Sequence, residues 1–159
     1  MLGKNFLILF SILLTIVGCH HTSATADSSD KISKEIELRN AVEKVWQDAN
    51  QSNIEELKAA HLNSPKFSKF GPRIAERQDV ESTNNTETEH FLSITDANLI
   101  IEDLKIDIFG DIGITTFYNN YSFIKNNIEV KGKGRVTLVF LKTEEGWKII
   151  HEHSSPFKE

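Results

Sequence analysis

A single cysteine occurs in 159 residues, so no internal disulfide can form and the lone thiol needs another explanation. Positive charge is scarce as well, with 18 Lys and Arg against 23 Asp and Glu and a formal net charge of −5. A basic footprint for nucleic acid is therefore absent. The longest apolar run, Phe6 to Val17, covers about twelve residues, whereas a bilayer-crossing helix needs about 20. Also missing are a serine-centred nucleophile elbow, a phosphate-cradling glycine loop, a dinucleotide fingerprint and any internal repeat. Ser154-Ser155 after His153 form no triad, because neighbours on a strand face opposite ways and no orienting acid is identified. Nucleophilic catalysis has no support, and no cofactor is called for.

What the chain does have begins with an address. Met1 to Lys4 form a short positive start, the apolar run follows, and Ile16-Val17-Gly18-Cys19 places aliphatic and small residues before the cysteine. The pattern resembles a bacterial lipoprotein signal with its lipobox. That resemblance implies a signal peptide over 1–18, lipid on Cys19 and anchorage in the cell envelope, facing the periplasm or on the outer membrane. The alternative is an ordinary secretory signal in which Cys19 is incidental. Losing Lys4 with the signal takes the net charge from −5 to −6. Residues 19–30 are polar and small with no apolar period, which reads as a flexible tether. Residues 31–159 then suffice for one domain with a core, but not for two.

The first half of that domain reads as helical. Ile32, Ile36, Leu38, Val42, Val45, Trp46 and Ala49 are spaced as one core-facing stripe of roughly five turns. Asn53 stands as an N-cap candidate before Glu55 and Glu56, opening a short helix that Asn63-Ser64-Pro65 stops. Phe67 to Pro72 reads as a loop packed over something apolar, and Gln78 to Leu92 as a third helix. Lys66, Lys69, Arg73 and Arg77 read as a solvated basic face, with attraction to lipid headgroups as the alternative.

The second half is strands. Gly110-Asp111 suits a tight hairpin pairing Phe109 with Ile112, Asn126-Asn127 another pairing Lys125 with Ile128, and Glu144-Glu145-Gly146 a three-residue loop pairing Thr143 with Trp147. Alternation then sorts the sheet into two faces. One collects Leu104, Ile106, Ile108, Thr115, Phe117, Tyr121, Phe123, Val136, Leu138, Phe140, Ile150, Glu152 and Ser154 and is nearly all apolar. The other carries Tyr118, Arg135, Trp147, Ile149, His151 and His153, a mixture suited to partial solvation or a subunit contact, and so a candidate homodimer surface. A bulge at Gly132-Lys133-Gly134 would flip part of this assignment. The expected class is α+β, with N-terminal helices packed on a strongly curved antiparallel sheet.

Leu104 to Phe117, Gly134 to Thr137 and Gly146 to Ser155 resemble the SnoaL-like group of the nuclear-transport-factor-two-like superfamily, which includes ketosteroid isomerases. The likeness is strongest from Leu104 to Ser155 and architectural over Ile32 to Leu92. It implies a cone of helices on a bent sheet, a cavity on the wrapped face and a dimer through the outer one. Since such folds carry many activities, the resemblance implies architecture more than reaction. The isomerase set of base, tyrosine and second acid finds no match, and Leu138 and Ser154 stand where the kinase association domains of this superfamily would place pocket arginines.

Glu152 is the one carboxylate among apolar residues on the inner face; desolvation would raise its pKa and make it a general base. The alternative pairs it with Lys148 or Arg135. Tyr121 and Ser154 would donate hydrogen bonds to a ligand, and Phe117 and Leu138 would line its site. His151 and His153 share one side of a strand, but zinc needs further ligands, and His61 and His90 show no ligand spacing, so no metal is expected. Two functions follow. The favoured one is a lipid-anchored module that binds an apolar small molecule or a protein partner; the other is a cofactor-independent isomerase or lyase with Glu152 as base.

Overall fold

The computed structural model describes residues 23–157. The expected signal peptide and Cys19 lie outside the described residues. Among the described residues no helix is long and apolar enough to cross a membrane. The elements run α1 (Ser23–Gln51), α2 (Ile54–Ala60), β1 (Ser68–Gly71), β2 (Ile74–Gln78), α3 (Val80–Leu92), β3 (Thr95–Phe109), β4 (Ile112–Lys125), β5 (Ile128–Thr143) and β6 (Gly146–Phe157). The fold is α+β, with helices packed on one six-stranded sheet of order β2-β1-β6-β5-β4-β3.

Helix α1 takes in residues 23–30, where composition predicts a tether. Its Leu38 and Val42 are fully buried against the sheet, and Ala49 is buried with them. Ile32 and Ile36 are instead 60% and 55% exposed. Leu38 lies two positions after Ile36, a rotation of about 200° at 3.6 residues per turn, so they occupy opposite faces. Asn53 makes no side-chain cap to α2; its amide donates to Asp48 Oδ1 at 3.1 Å. Helix α3 starts two residues after Gln78, where Asp79 Oδ1 accepts from the Ser82 amide at 2.8 Å and caps it.

The turns at Gly110-Asp111 and Asn126-Asn127 pair Phe109 with Ile112 and Lys125 with Ile128, as the sequence predicts. Both asparagines take positive φ, and a hairpin turn of this kind needs two such residues. The β4–β5 ladder runs unbroken past Gly132 and Gly134. The irregularity lies instead in β5–β6: Thr143 pairs with Gly146, Phe140 with Ile149, and Val139 with His151, so Ile150 is the extra residue of a bulge. Before that bulge the inward residues are Trp147 and Ile149, which are 7% and 1% exposed; after it they are Glu152 and Ser154. Trp147 and Ile149 therefore belong to the core, not to an interface, because one extra residue reverses the side on which every earlier residue falls.

Phe67 to Pro72 is not a loop. Residues Ser68–Gly71 form β1, which turns into β2 and pairs parallel to β6, with Lys69 opposite Glu152. The sheet is accordingly mixed rather than purely antiparallel. Phe67, Phe117, Val136, Leu138, Phe140, Trp147 and Ile149 join Leu38 and Val42 in one core, and Ile106 packs against it.

Candidate functional site

A cavity of about 870 Å³ lies between the helices and the inner face of the sheet. Its apolar wall comes from Val136, Leu138, Ile149, Leu57 and Val45. Its polar deep end comes from four elements. Alternation along β1 puts Lys69 on the same side as buried Phe67, so Lys69 turns inward and is only 8% exposed. Glu152 enters from β6 level with Leu138. Glu87 lies one turn beyond buried Thr83 on α3 and so shares its inward face. His61, just past α2, is held by a bridge to Ile149 and by the Leu62 amide donating to Ile149 O at 2.8 Å.

The Lys69 ammonium contacts Glu87 Oε1 at 2.5 Å and Glu152 Oε1 at 2.8 Å. His61 Nε2 faces the other carboxylate oxygens, 3.9 Å from Glu87 Oε2 and 4.0 Å from Glu152 Oε2. Its Nδ1 donates to Asn84 Oδ1 at 2.9 Å. Burial by itself would push the Glu152 carboxyl up, but Lys69 and His61 beside it outweigh burial and hold it below the ordinary carboxylate range. The same two carboxylates overcome the desolvation of Lys69 and hold its ammonium above the ordinary lysine value. Lys69 therefore stays charged and is no amine nucleophile, and Glu152 is an ionised, engaged partner.

These findings correct several sequence expectations. Glu152 faces the cavity as expected, yet its pKa moves down, and its partner is Lys69 rather than Lys148 or Arg135. Lys148 donates to Ala59 O at 2.8 Å, and Arg135 lies 4.5 Å over the Phe157 ring. Lys69 is no part of a solvated face. Leu138, Ser154 and Tyr121 line the cavity, whereas Phe117 is buried beneath Trp46, their rings edge to face at 4.7 Å, and Trp46 lines the wall in its place. Tyr121 is not beside Glu152: Glu152 is level with Thr115 through Leu138, six residues before Tyr121, or about 20 Å along the strand. Tyr121 covers Gly132, where a Cβ would meet its Oη at 2.4 Å.

At the mouth Arg73 Nη1 meets His90 Nδ1 at 2.6 Å. Burial, then Arg73 and Lys125, bring the His90 pKa down to about 4. On the outer face Tyr118, Arg135 and Phe157 pack together, His151 Nδ1 meets Ser68 Oγ at 2.9 Å, and His153 is exposed beside Phe70.

His61, Glu87 and Glu152 offer three ligand atoms within 4.8 Å of one another, the one such group among the described residues. Sequence spacing had shown His61 no ligand partners, because the grouping is made across α2, α3 and β6. One signal was legible: had Phe67-Ser68-Lys69-Phe70 been read as a strand, period two would have sided Lys69 with Phe67.

The family profile described as SnoaL-like domain matches residues 38–158. Among solved structures, a nuclear transport factor 2-like (NTF2-like) superfamily protein of Salmonella enterica serovar Typhimurium is 17% identical with a TM-score of 0.74, covering 81% of this chain and 94% of its own. An NTF2-like family protein of Streptomyces avermitilis, provisionally described as a dehydratase, is 15% identical with a TM-score of 0.73, covering 80% and 98%. An NTF2-like protein with a cystatin-like fold from Novosphingobium aromaticivorans is 9% identical with a TM-score of 0.68, covering 89% and 93%. At these identities the likeness is one of fold. No protein of curated function matches the chain. With helices over the inner face of its sheet and a profile match across residues 38–158, the chain belongs to the SnoaL-like domain family.

Proposed function

We propose that this chain is a receptor for a small organic molecule, anchored in the bacterial cell envelope by lipid on Cys19 and paired as a homodimer through the outer sheet face around Tyr118, Arg135, His151 and His153. The observation that carries the binding reading is the cavity of about 870 Å³, whose apolar wall leads to one charged cluster. Volumes of this size suit a ligand with an apolar body and a few polar anchors. Receptor rather than catalyst is favoured by Glu152, which Lys69 engages at 2.8 Å. A base that must first release an ammonium is a poor one.

A second reading, a cofactor-independent isomerase or lyase, is favoured by one observation: Glu152 lies beside an open cavity with His61 Nε2 at 4.0 Å. One experiment separates the two. The full chain is purified from its own membranes and studied by native mass spectrometry, which reports retained ligand, lipid on Cys19 and subunit number together. A receptor returns its ligand, released and examined by NMR after incubation, with both mass and spectrum unchanged, the spectrum being what an isomerase would alter. Conversion of that molecule, abolished by Glu152→Gln in a folded protein, would establish the enzyme and end the receptor reading. A mature chain without added lipid mass would end the anchor.

A further inference from the structure

The side chains that line the cavity include the cations Lys69, Arg73 and Lys125, and their partners differ. Lys69 is neutralised by Glu87 and Glu152. Among the described residues neither Arg73 nor Lys125 forms an ion pair. Glu87 is the carboxylate whose field reaches Arg73, but Lys69 already holds it at 2.5 Å. Glu89 also lines the cavity, at its surface, and bonds to neither cation. The mouth thus carries positive charge that no protein group answers.

Arg73, in the turn from β1 to β2, is exposed as a residue. Desolvation at its guanidinium nevertheless pulls its pKa below the ordinary arginine value, and the field of Glu87 does not make up the loss. A guanidinium has donors only, so in the 2.6 Å contact with His90 Nδ1 the arginine donates and the ring accepts. His90 is therefore a neutral ring with its proton on Nε2, and its pKa of about 4 agrees. Phe123 backs that ring edge to face at 5.4 Å. One nitrogen of the guanidinium is held in this way, and its remaining N–H groups have no acceptor among the described residues. A planar fork with free N–H groups matches the two oxygens of a carboxylate. Lys125, whose charge also acts on His90, adds a second positive group nearby.

The deep end settles which way round such a ligand lies. Glu152 is ionised there, and a carboxylate entering head first would face it and Glu87 as a like charge. The charged end therefore stays with Arg73 while the apolar body runs inward along Val136 and Leu138.

We propose that Arg73 anchors a carboxylate at the cavity mouth, so that the ligand is an organic acid with an apolar body seated tail first. This rests on the receptor reading above and specifies its ligand class. The anchor comes from the β1–β2 turn, not from the strand positions held by Leu138 and Ser154.

The test places the full chain in nanodiscs of phosphatidylcholine and follows isothermal titration with n-hexanoate, n-hexanol and n-hexylamine. Hexanoate is expected to bind at least about tenfold more tightly than hexanol or hexylamine, the difference that charge-assisted hydrogen bonds supply. Arg73→Gln should remove that preference while hexanol binding stays within about twofold, since the apolar wall is untouched. Arg77→Gln, at an exposed arginine outside the cavity lining, should leave the preference in place. Loss of the preference in Arg77→Gln as well, or a preference for hexylamine, would overturn the proposal. So would discs containing phosphatidylglycerol that abolish hexanoate binding, because Arg73 would then answer a lipid headgroup. Equal binding of the three probes would end the carboxylate anchor and leave the binding cavity standing. If none binds, the anchor falls too, and the native mass spectrum of the purified chain decides the receptor reading on its own. The wild-type series alone decides the matter if a variant does not fold.

Discussion

Replacing Lys69 with methionine is the sharpest available perturbation of the cluster. Methionine keeps an unbranched apolar stem and removes the ammonium, leaving Glu87 and Glu152 facing each other with side-chain exposures of 17% and 13%. Breaking a buried ion pair by removing one partner costs about 3 to 5 kcal/mol. The folded variant has an escape, however, since Glu152 can take up a proton. From an ordinary carboxyl value of 4.5, protonation at pH 7 costs about 3.4 kcal/mol, at about 1.4 kcal/mol per pH unit. At pH 5 it costs about 0.7 kcal/mol. Lys69→Met should therefore lower unfolding free energy by about 3 kcal/mol at pH 7 and by about 1 kcal/mol at pH 5, read from urea denaturation of variant and wild type at each pH. Groups that titrate alike in both proteins cancel in the difference. The double variant Lys69→Met with Glu152→Gln should recover most of the loss at pH 7. A loss below about 1 kcal/mol at pH 7, or one that does not shrink at pH 5, would refute the assignment of Lys69 as the neutralising partner.

Three further outcomes are expected. The folded-state pKa of His90, about 4, lies below its ordinary 6.5, so between those values the unfolded chain binds more protons. Stability should be full above pH 6.5 and fall as pH drops towards 4, with Glu152 adding to the fall below 4.5. His90→Gln should remove the part above pH 4.5, measured as urea midpoints across that range. Gly113→Ala would put a Cβ 2.2 Å from Leu38 Cδ2 in the core, and overpacking of this kind costs about 1 to 3 kcal/mol. A thermal melt matching wild type would contradict it. Trp147→Ala should cost about 3 to 5 kcal/mol as a core truncation, equally at low and high protein concentration. A loss that appears only on dilution would return Trp147 to an interface.

Turn chemistry and alternation lie in neighbouring residues, and on that scale the sequence was sufficient. Gly110-Asp111 and Asn126-Asn127 set two hairpin registers, and the period-two runs around Phe117 and Leu138 set the inward face of β4 and β5. The family resemblance rested on the same segments. The tertiary structure decided the rest. Ile150 bulges where β5 and β6 must both follow the core, and that placed Trp147 and Ile149 inside. β1 has four residues and pairs on one side with nearby β2 and on the other with β6, about 80 residues later, which ties it into the main sheet. The pairing with β6 sets Lys69 opposite Glu152. The cluster of His61, Lys69, Glu87 and Glu152 thus comes from four separate elements. A charge acquires its partner from whatever the fold brings opposite it, and no local pattern in the chain encodes that distance.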